Sequence, residues 1–245
     1  MECADLKILV ACECSQTVCA AFRDAGCEAY SCDLAVEYGG RPDWHILGDA
    51  LAVLHAPCAF RTRDGQAHAV DKWDLIIAHP PCTYLSNAQN LYYNAERFGA
   101  ERVQKRMARR DEAVKFFMQF TKAGVPTVIE NPPGYMNAYY RSATQTIQPY
   151  FFGDNAQKAT CLWMLGGVPE LQKIGEIPKP EAHRLPHSNT MGEWYYQTSL
   201  LPKKDRARVR SKTFPGVARA MATQWVPWLL GKNRQRSIFD YMDME

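Results

Sequence analysis

A chain of 245 residues, 47% of them hydrophobic, is long enough for one large α/β domain with a buried core. It has no run of the roughly eighteen apolar residues that a membrane span needs. The short apolar stretch near its start follows Glu2 and Asp5, the wrong charge sign for a secretory signal, so a cytosolic protein is expected. A net charge of +3 does not by itself argue for a nucleic-acid partner. The nine cysteines include no CxxC pair, which favours reduced thiols over disulfides or structural zinc. Cys12 and Cys14 are too isolated from other ligand types for a metal site, and His183 and His187 in a Pro-containing loop read as solvent-exposed, so no metal is expected.

Strand-like and helix-like runs alternate, the pattern of a mostly parallel, doubly wound sheet. KILVACE (7–13) reads as a first central strand, and QTVCAAFRDAG (16–26) as a helix with Val18, Phe22 and Ala25 on its apolar stripe and Gly26 at its end. EAYSCD (28–33) is a second strand closing on an acid. The polar segment 56–70 reads as an insertion loop. WDLIIAHP (73–80) is a buried strand stopped by Pro80 and Pro81. A long helix is predicted over 101–123, with Val103, Met107, Val114, Phe117 and Met118 on its apolar side. VPTVIENPP (125–133) repeats the pattern of strand and Pro-Pro stop, and KATCLWML (158–165) is a further strand. Segment 166–212 is loop-rich and is expected to face the substrate. A closing helix is predicted over 214–230, with Pro215 in its first turn and a tail after it.

In open α/β sheets, ligands bind beyond the carboxyl ends of the strands. Reactive and acidic residues collect there in this chain: Glu13 and Cys14, Asp33, Asp49, His79 through Cys82, and Glu130 with Asn131. A Pro-Pro corner holds Cys82 in a defined place, and Glu130 is likewise followed by two prolines. A thiol and a carboxylate on adjoining strand ends suit covalent activation of a pyrimidine. The thiolate adds to carbon 6 while the acid hydrogen-bonds ring nitrogen 3, leaving carbon 5 nucleophilic. The cluster Lys105, Arg106, Arg109 and Arg110 reads as a solvated helix face. A second basic run, Lys203 to Lys212, lies in a loop-like segment after Trp194, Tyr195 and Tyr196, a mix suited to phosphate contact and base stacking.

The ordered series ILVACECS, SCDL, LGDA, HPPCTYLS, VIENPP, QKATCLWM and FPGVARAMATQW resembles the DNA (cytosine-5) methyltransferases, in particular their compact phage-encoded relatives, over nearly the whole chain. The resemblance implies a single catalytic domain with the Rossmann-like, doubly wound sheet of the S-adenosylmethionine-dependent methyltransferase type. It implies S-adenosylmethionine as cofactor and DNA as partner, with a flipped target base. Cys82 matches the nucleophile and Glu130 the acid that holds the base. Asp33, with Leu34 beside it, matches the ribose-binding acid, Asp49 the partner of the adenine amino group, and Ala11, Cys12, Glu13, Cys14 and Ser15 the backbone at the methionine end. Pro80 falls on the cofactor side, and Pro81, Asn131 and Thr160 on the base side; Arg208 and Arg210 would meet phosphates. The chain departs from the family in three places. ACECSQT replaces the glycine-rich first loop, and Asn131 is followed by two prolines in place of the usual valine. The family's arginine-containing strand becomes Gln157 to Thr160, where Lys158 is expected to take the arginine's role. The target-recognition domain is absent or reduced to 166–212. Alternatives left open are an exocyclic-amino DNA methyltransferase, cysteine chemistry on RNA or a free nucleotide, and an inactive DNA-binding domain; a monomer is the default.

Overall fold

The apolar run KILVA forms the central strand β1 (Lys7–Ala11), four of whose five residues are buried. The strand stops two residues before its predicted end, because Cys12 adopts the left-handed conformation (φ 60°) and turns the chain. The structure is a computed structural model that describes residues 2–184 and 190–242, with side chains to residue 231. Helix α1 (Thr17–Asp24) buries Val18, Cys19 and Phe22. It leads to β2 (Glu28–Asp33) and the short β3 (His45–Leu47), each parallel to the strand before it. Segment 56–70 is an antiparallel hairpin of β4 (Cys58–Arg61) and β5 (Ala67–Val70) rather than a loop. Its polar residues alternate with Phe60, which stacks on Trp73 and meets Tyr30 edge-on, and these contacts fix it to the domain.

Strand β6 (Leu75–Ala78) returns to the centre beside β1. The short α2 (Ala95–Phe98) and the long α3 (Ala100–Phe120) then cross to β7 (Thr127–Asn131). After α4 (Tyr135–Tyr139), strands β8 (Gln145–Ile147) and β9 (Thr160–Leu165) complete a seven-stranded sheet of order β3-β2-β1-β6-β7-β9-β8. The five strands from β3 to β7 are parallel, and β9 enters antiparallel between β7 and β8. The chain reverses winding direction at the β1/β6 junction, where such sheets place their ligands.

Alternation along the strands supplies two cores. Ile8, Val10, Leu75, Ile77 and Val128 face one side, against Phe22 of α1 and Met221 and Trp225 of the last helix, α7 (Pro215–Met242). Leu9, Ala11, Ile76, Ala78 and Ile129 face the other, against Val114, Phe117 and Phe120 of α3. Between Val103 and Val114 no α3 residue is buried, and Met107, expected on the apolar side, is 44% exposed. The first half of α3 therefore stands clear of the sheet.

Segment 166–212 carries more regular structure than its composition suggests. It holds the hairpin strands β10 (Ala182–Arg184) and β11 (Thr190–Gly192), then α5 (Glu193–Ser199) and α6 (Lys203–Ser211). The basic run is thus a helix: Pro202 precedes it, Asp205 lies in its first turn, and Arg208 and Arg210 lie in its last, as the helix dipole favours. His183 stacks on Tyr196 at 3.5 Å, whereas His187 lies outside the described residues. Helix α7 runs on through the predicted tail to Met242. The Asp154 carboxylate accepts from Gly216 N–H in its first turn, and a Cβ on Gly216 would lie 2.2 Å from the Phe152 carbonyl oxygen. No helix among the described residues is long and apolar enough to cross a membrane.

Trp225 and Phe117 are both fully buried, on opposite faces of the sheet. Trp225→Ala and Phe117→Ala should each cost about 3–5 kcal/mol of unfolding free energy in urea denaturation. In the double variant the two losses should add. A loss under about 1 kcal/mol at either position would contradict the two-core architecture.

Candidate active site

Strands β6 and β7 are parallel neighbours, with Ala78 opposite Ile129, so the HPPC and ENPPG segments leave the sheet side by side. Four contacts then zip the two segments together. Asn131 Nδ2 donates to the Pro80 carbonyl at 2.7 Å, Tyr135 N–H to the Leu85 carbonyl at 2.7 Å, and Asn87 N–H to the Pro133 carbonyl at 3.0 Å. His79 Nδ1 meets Glu130 Oε2 at 3.2 Å. Gly134 makes the approach sterically feasible, since a Cβ there would lie 2.0 Å from the Leu85 carbonyl oxygen. A tight turn at Cys82, whose carbonyl accepts from both Leu85 and Ser86 N–H, leaves its side chain exposed beside Glu130.

The electrostatics of the pair are asymmetric. Loss of surrounding water, then the nearby Glu130 carboxylate, push the Cys82 thiol above its ordinary pKa, while the Lys158 ammonium pulls it back. Burial alone would raise Glu130 as well. The His79 hydrogen bond and charge, with Lys158 behind them, outweigh it and hold the carboxyl below its usual range. The resting pair is a thiol beside a carboxylate. Lys158 Nζ donates to the Arg210 carbonyl at 2.9 Å, which fixes the ammonium at the end of α6. Tyr195 stands over the same point. Burial raises its hydroxyl pKa, and among the neighbouring charges it senses Arg210, Cys82 and Glu130. Tyr195 also packs edge-on against Trp194, which in turn meets Phe214.

On the other side of β1, the ACECSQT turn makes its left-handed bends without glycine. Cys12 and Gln16 both take positive φ, 60° and 59°, at a strain of roughly 1–2 kcal/mol each. Side chains brace it: Glu13 accepts from Val18 N–H at 2.7 Å and Cys19 N–H at 3.1 Å, and Ser15 Oγ donates to Glu13 at 3.1 Å. Gln16 ties the turn to Arg41 through both of its amide atoms. Glu13 and Ser15 are therefore buried supports, and Ala11 is wholly enclosed in β1. Cys12 and Cys14 are half-buried at the edge, and the charges of Asp33 and Asp49 both reach Cys12. Each of these carboxylates spends Oδ1 on a local turn, Asp33 on Ala35 N–H and Asp49 on Leu51 N–H. Leu34, next to Asp33 in the chain, is 79% exposed. Two acids at adjoining strand ends with an uncovered leucine fit a nucleoside-bearing cofactor, with the acids facing hydroxyl and amino groups and the leucine a ring face.

The structure thus gathers Cys82, Glu130 and Lys158 at one point and Cys12, Asp33, Leu34 and Asp49 at another, on the same edge of the sheet. Several expected contacts turn inward. Pro80 is buried while Pro81 is exposed. Asn131 is 1% exposed and serves to tie the loops, and Thr160 Oγ1 donates back to the Lys158 carbonyl at 3.1 Å. Arg210 spends Nε on Thr198 Oγ1 and Nη2 on the Tyr195 carbonyl, both at 2.9 Å, so it braces α5 against α6. Arg208 lies 4.1 Å over the Tyr38 ring, bringing α6 to the ACECSQT turn. Arg208 remains exposed beside that ring, while Arg210 is half-buried between α5 and α6. His79 is the residue missing from the expected set; its place at the end of a buried strand ahead of a cysteine was the available signal. Its Nε2 is buried without a partner. Among the described residues no cluster of three or more His, Cys, Asp or Glu is placed to hold a metal. In comparisons with known proteins, no family model and no curated protein matches the chain.

Two outcomes follow from this geometry. Gly134→Ala should drive the two loops apart and cost about 1–3 kcal/mol in urea denaturation, whereas Gly48→Ala, where a Cβ meets nothing within 4 Å, should be nearly neutral. Equal effects would refute the close approach. Because Glu130 is held below its ordinary value, its stabilising contribution is present above the unfolded carboxylate pKa of about 4.3 and is lost as pH falls through the lower folded value. His79→Gln leaves burial to dominate. The stability gap between wild type and this variant should be widest near neutrality and close on acidification, and parallel pH profiles would exclude the coupling.

Proposed function

We propose that the protein transfers a methyl group from S-adenosylmethionine to carbon 5 of cytosine in DNA, through a covalent adduct with Cys82. The observation that carries this reading is the pairing of an exposed thiol with a carboxylate on zipped, adjoining strand ends, at the same sheet edge as the Asp33–Leu34–Asp49 cluster. Asp33, Leu34, Asp49 and the backbone of residues 11–15 would hold the cofactor, which supplies an electrophilic methyl group when bound. Lys158 favours the thiolate electrostatically, Cys82 releases its proton to water, and the thiolate forms a bond from Sγ to carbon 6 of the ring. The carbon 5–carbon 6 π pair moves toward carbon 5 and the ring. Glu130 takes up a proton from water and donates it to ring nitrogen 3 through one oxygen, while its other oxygen accepts from the exocyclic amino group and His79 is hydrogen-bonded behind it. After carbon 5 takes the methyl group, its proton leaves to water, the Sγ–carbon 6 bond breaks and ring nitrogen 3 returns its proton to Glu130, restoring the ring and the thiolate. Tyr195, Trp194 and Phe214 offer ring faces beside an extruded base.

Expression in a host without DNA methylation, followed by mass spectrometry of the digested DNA, tests the reading. Wild type should yield 5-methylcytosine, Cys82→Ala none, and Glu130→Gln less by about 10²–10⁴-fold in rate. An amino-methylated base that survives Cys82→Ala would replace it with exocyclic chemistry, and unmodified DNA would overturn it.

A further inference from the structure

The first half of α3, clear of the sheet, forms a cavity of about 460 Å³ with the turn that follows Cys82. Arg102, Lys105, Arg106 and Arg109 line it together with Tyr84 and Tyr92, and no acid is among the lining residues. Glu101 engages Lys105 in an exposed pair at 2.6 Å, an interaction that barely reduces the local charge. Among the described residues no carboxylate lies within ion-pair reach of Arg102, Arg106 or Arg109. Arg106 is held in place: it donates to Gln89 Oε1 at 2.5 Å and its guanidinium lies 5.0 Å over Tyr84, 5.1 Å over Tyr92 and 5.2 Å over Tyr93. Its Nε is buried and without a partner. Arg110 sits behind, 4.6 Å over Tyr93 and 4.1 Å over Tyr135, so the groove is backed by the loop after Glu130 as well as the loop after Cys82. Leu91 and Tyr92 extend the uncovered surface at 51% and 39% exposure.

We infer that this groove binds the phosphodiester backbone of the DNA strand whose cytosine reaches Cys82, with Tyr84 and Tyr92 as faces for flanking bases. Cations held apart on one helix face beside planar rings match a charged, stacked polymer. A free nucleotide would need these contacts within the reacting site, whereas neither Cys82 nor Glu130 lines the groove, whose nearest residue in sequence is Tyr84. The inference rests on the cytosine reading for the identity of the strand.

The test uses the full-length protein and a short fluorescent cytosine-containing DNA, single-stranded and duplex, with anisotropy measured over a range of salt. Arg102→Gln/Lys105→Gln/Arg109→Gln should weaken binding by about tenfold or more and lower the slope of log affinity against log salt by about 2–3. Lys122→Gln, which removes an exposed cation outside the groove, should bind as wild type does. All three replaced side chains are exposed, so an unchanged urea midpoint verifies folding. Unchanged affinity and slope in the triple variant would overturn the inference, as would competition by free dCMP as effective as competition by the oligonucleotide. If the wild type forms 5-methylcytosine while the triple variant binds normally, the groove fails and methyl transfer stands. If the triple variant loses affinity and slope but the wild type forms no methylated base, the groove stands and the reaction fails.

Discussion

The adjacency of β6 and β7, continued past the sheet by the zipping of their loops, is the constraint from which the candidate site follows. Parallel strands end at the same level, so two neighbours that each stop at a Pro-Pro step deliver their next residues to one place. Adjacency alone would leave two loops free to diverge. The Asn131 amide on Pro80, the Gly134 approach to Leu85 and the backbone bonds from Tyr135 and Asn87 remove that freedom. The thiol and the carboxylate are therefore positioned by backbone, and the entropy of bringing them together is spent on folding rather than on binding substrate.

The opposite half of the sheet edge solves a different problem. A turn after β1 that must approach a ligand closely is usually made with glycine, which takes positive φ without strain. Here Cys12 and Gln16 take that conformation. Glu13 satisfies two N–H groups at the start of α1, where the helix dipole also favours its charge, and Gln16 anchors the turn to Arg41. The same geometry is reached with side-chain braces, which explains why Glu13 and Ser15 point inward while the edge is left to Cys12, Cys14 and the acids on β2 and β3.

Periodicity made the sheet legible in the sequence, because buried parallel strands such as KILVA and LIIA read as unbroken apolar runs. The meeting of Cys82 and Glu130 was legible too, since Pro-Pro corners mark strand ends. The helical apolar stripes of α1 and α3 also gave Phe22 and Phe117 their inward places. What escaped was whatever depends on tertiary partners. The 56–70 hairpin is anchored by Phe60 on Trp73, a contact that no local pattern announces. The basic run at 203–212 lacks an apolar stripe, so only its docking through Arg210 on Tyr195 and Lys158 on the Arg210 carbonyl makes sense of it as a helix. Cluster 105–110 was read by composition as a solvated face; the tyrosines that turn it into a groove arrive from another segment.

These pieces bear on one another through charge. A thiol pushed up by its surroundings is a poor nucleophile at rest, and Lys158 is the cation placed to offset the Glu130 field upon it. Lys158 is held by the end of α6, and α6 reaches across to Tyr38 beside the ACECSQT turn. The helix that fixes the ammonium beside Cys82 therefore also reaches the segment beside the turn after β1. Tyr195, fixed by Arg210 in that unit, joins the thiol and the carboxylate from above. The α5–α6 unit thus spans both halves of the sheet edge, and its position sets the charge around the nucleophile. The electrostatic setting of Cys82 is a property of that bridging unit as much as of the strand ends beneath it.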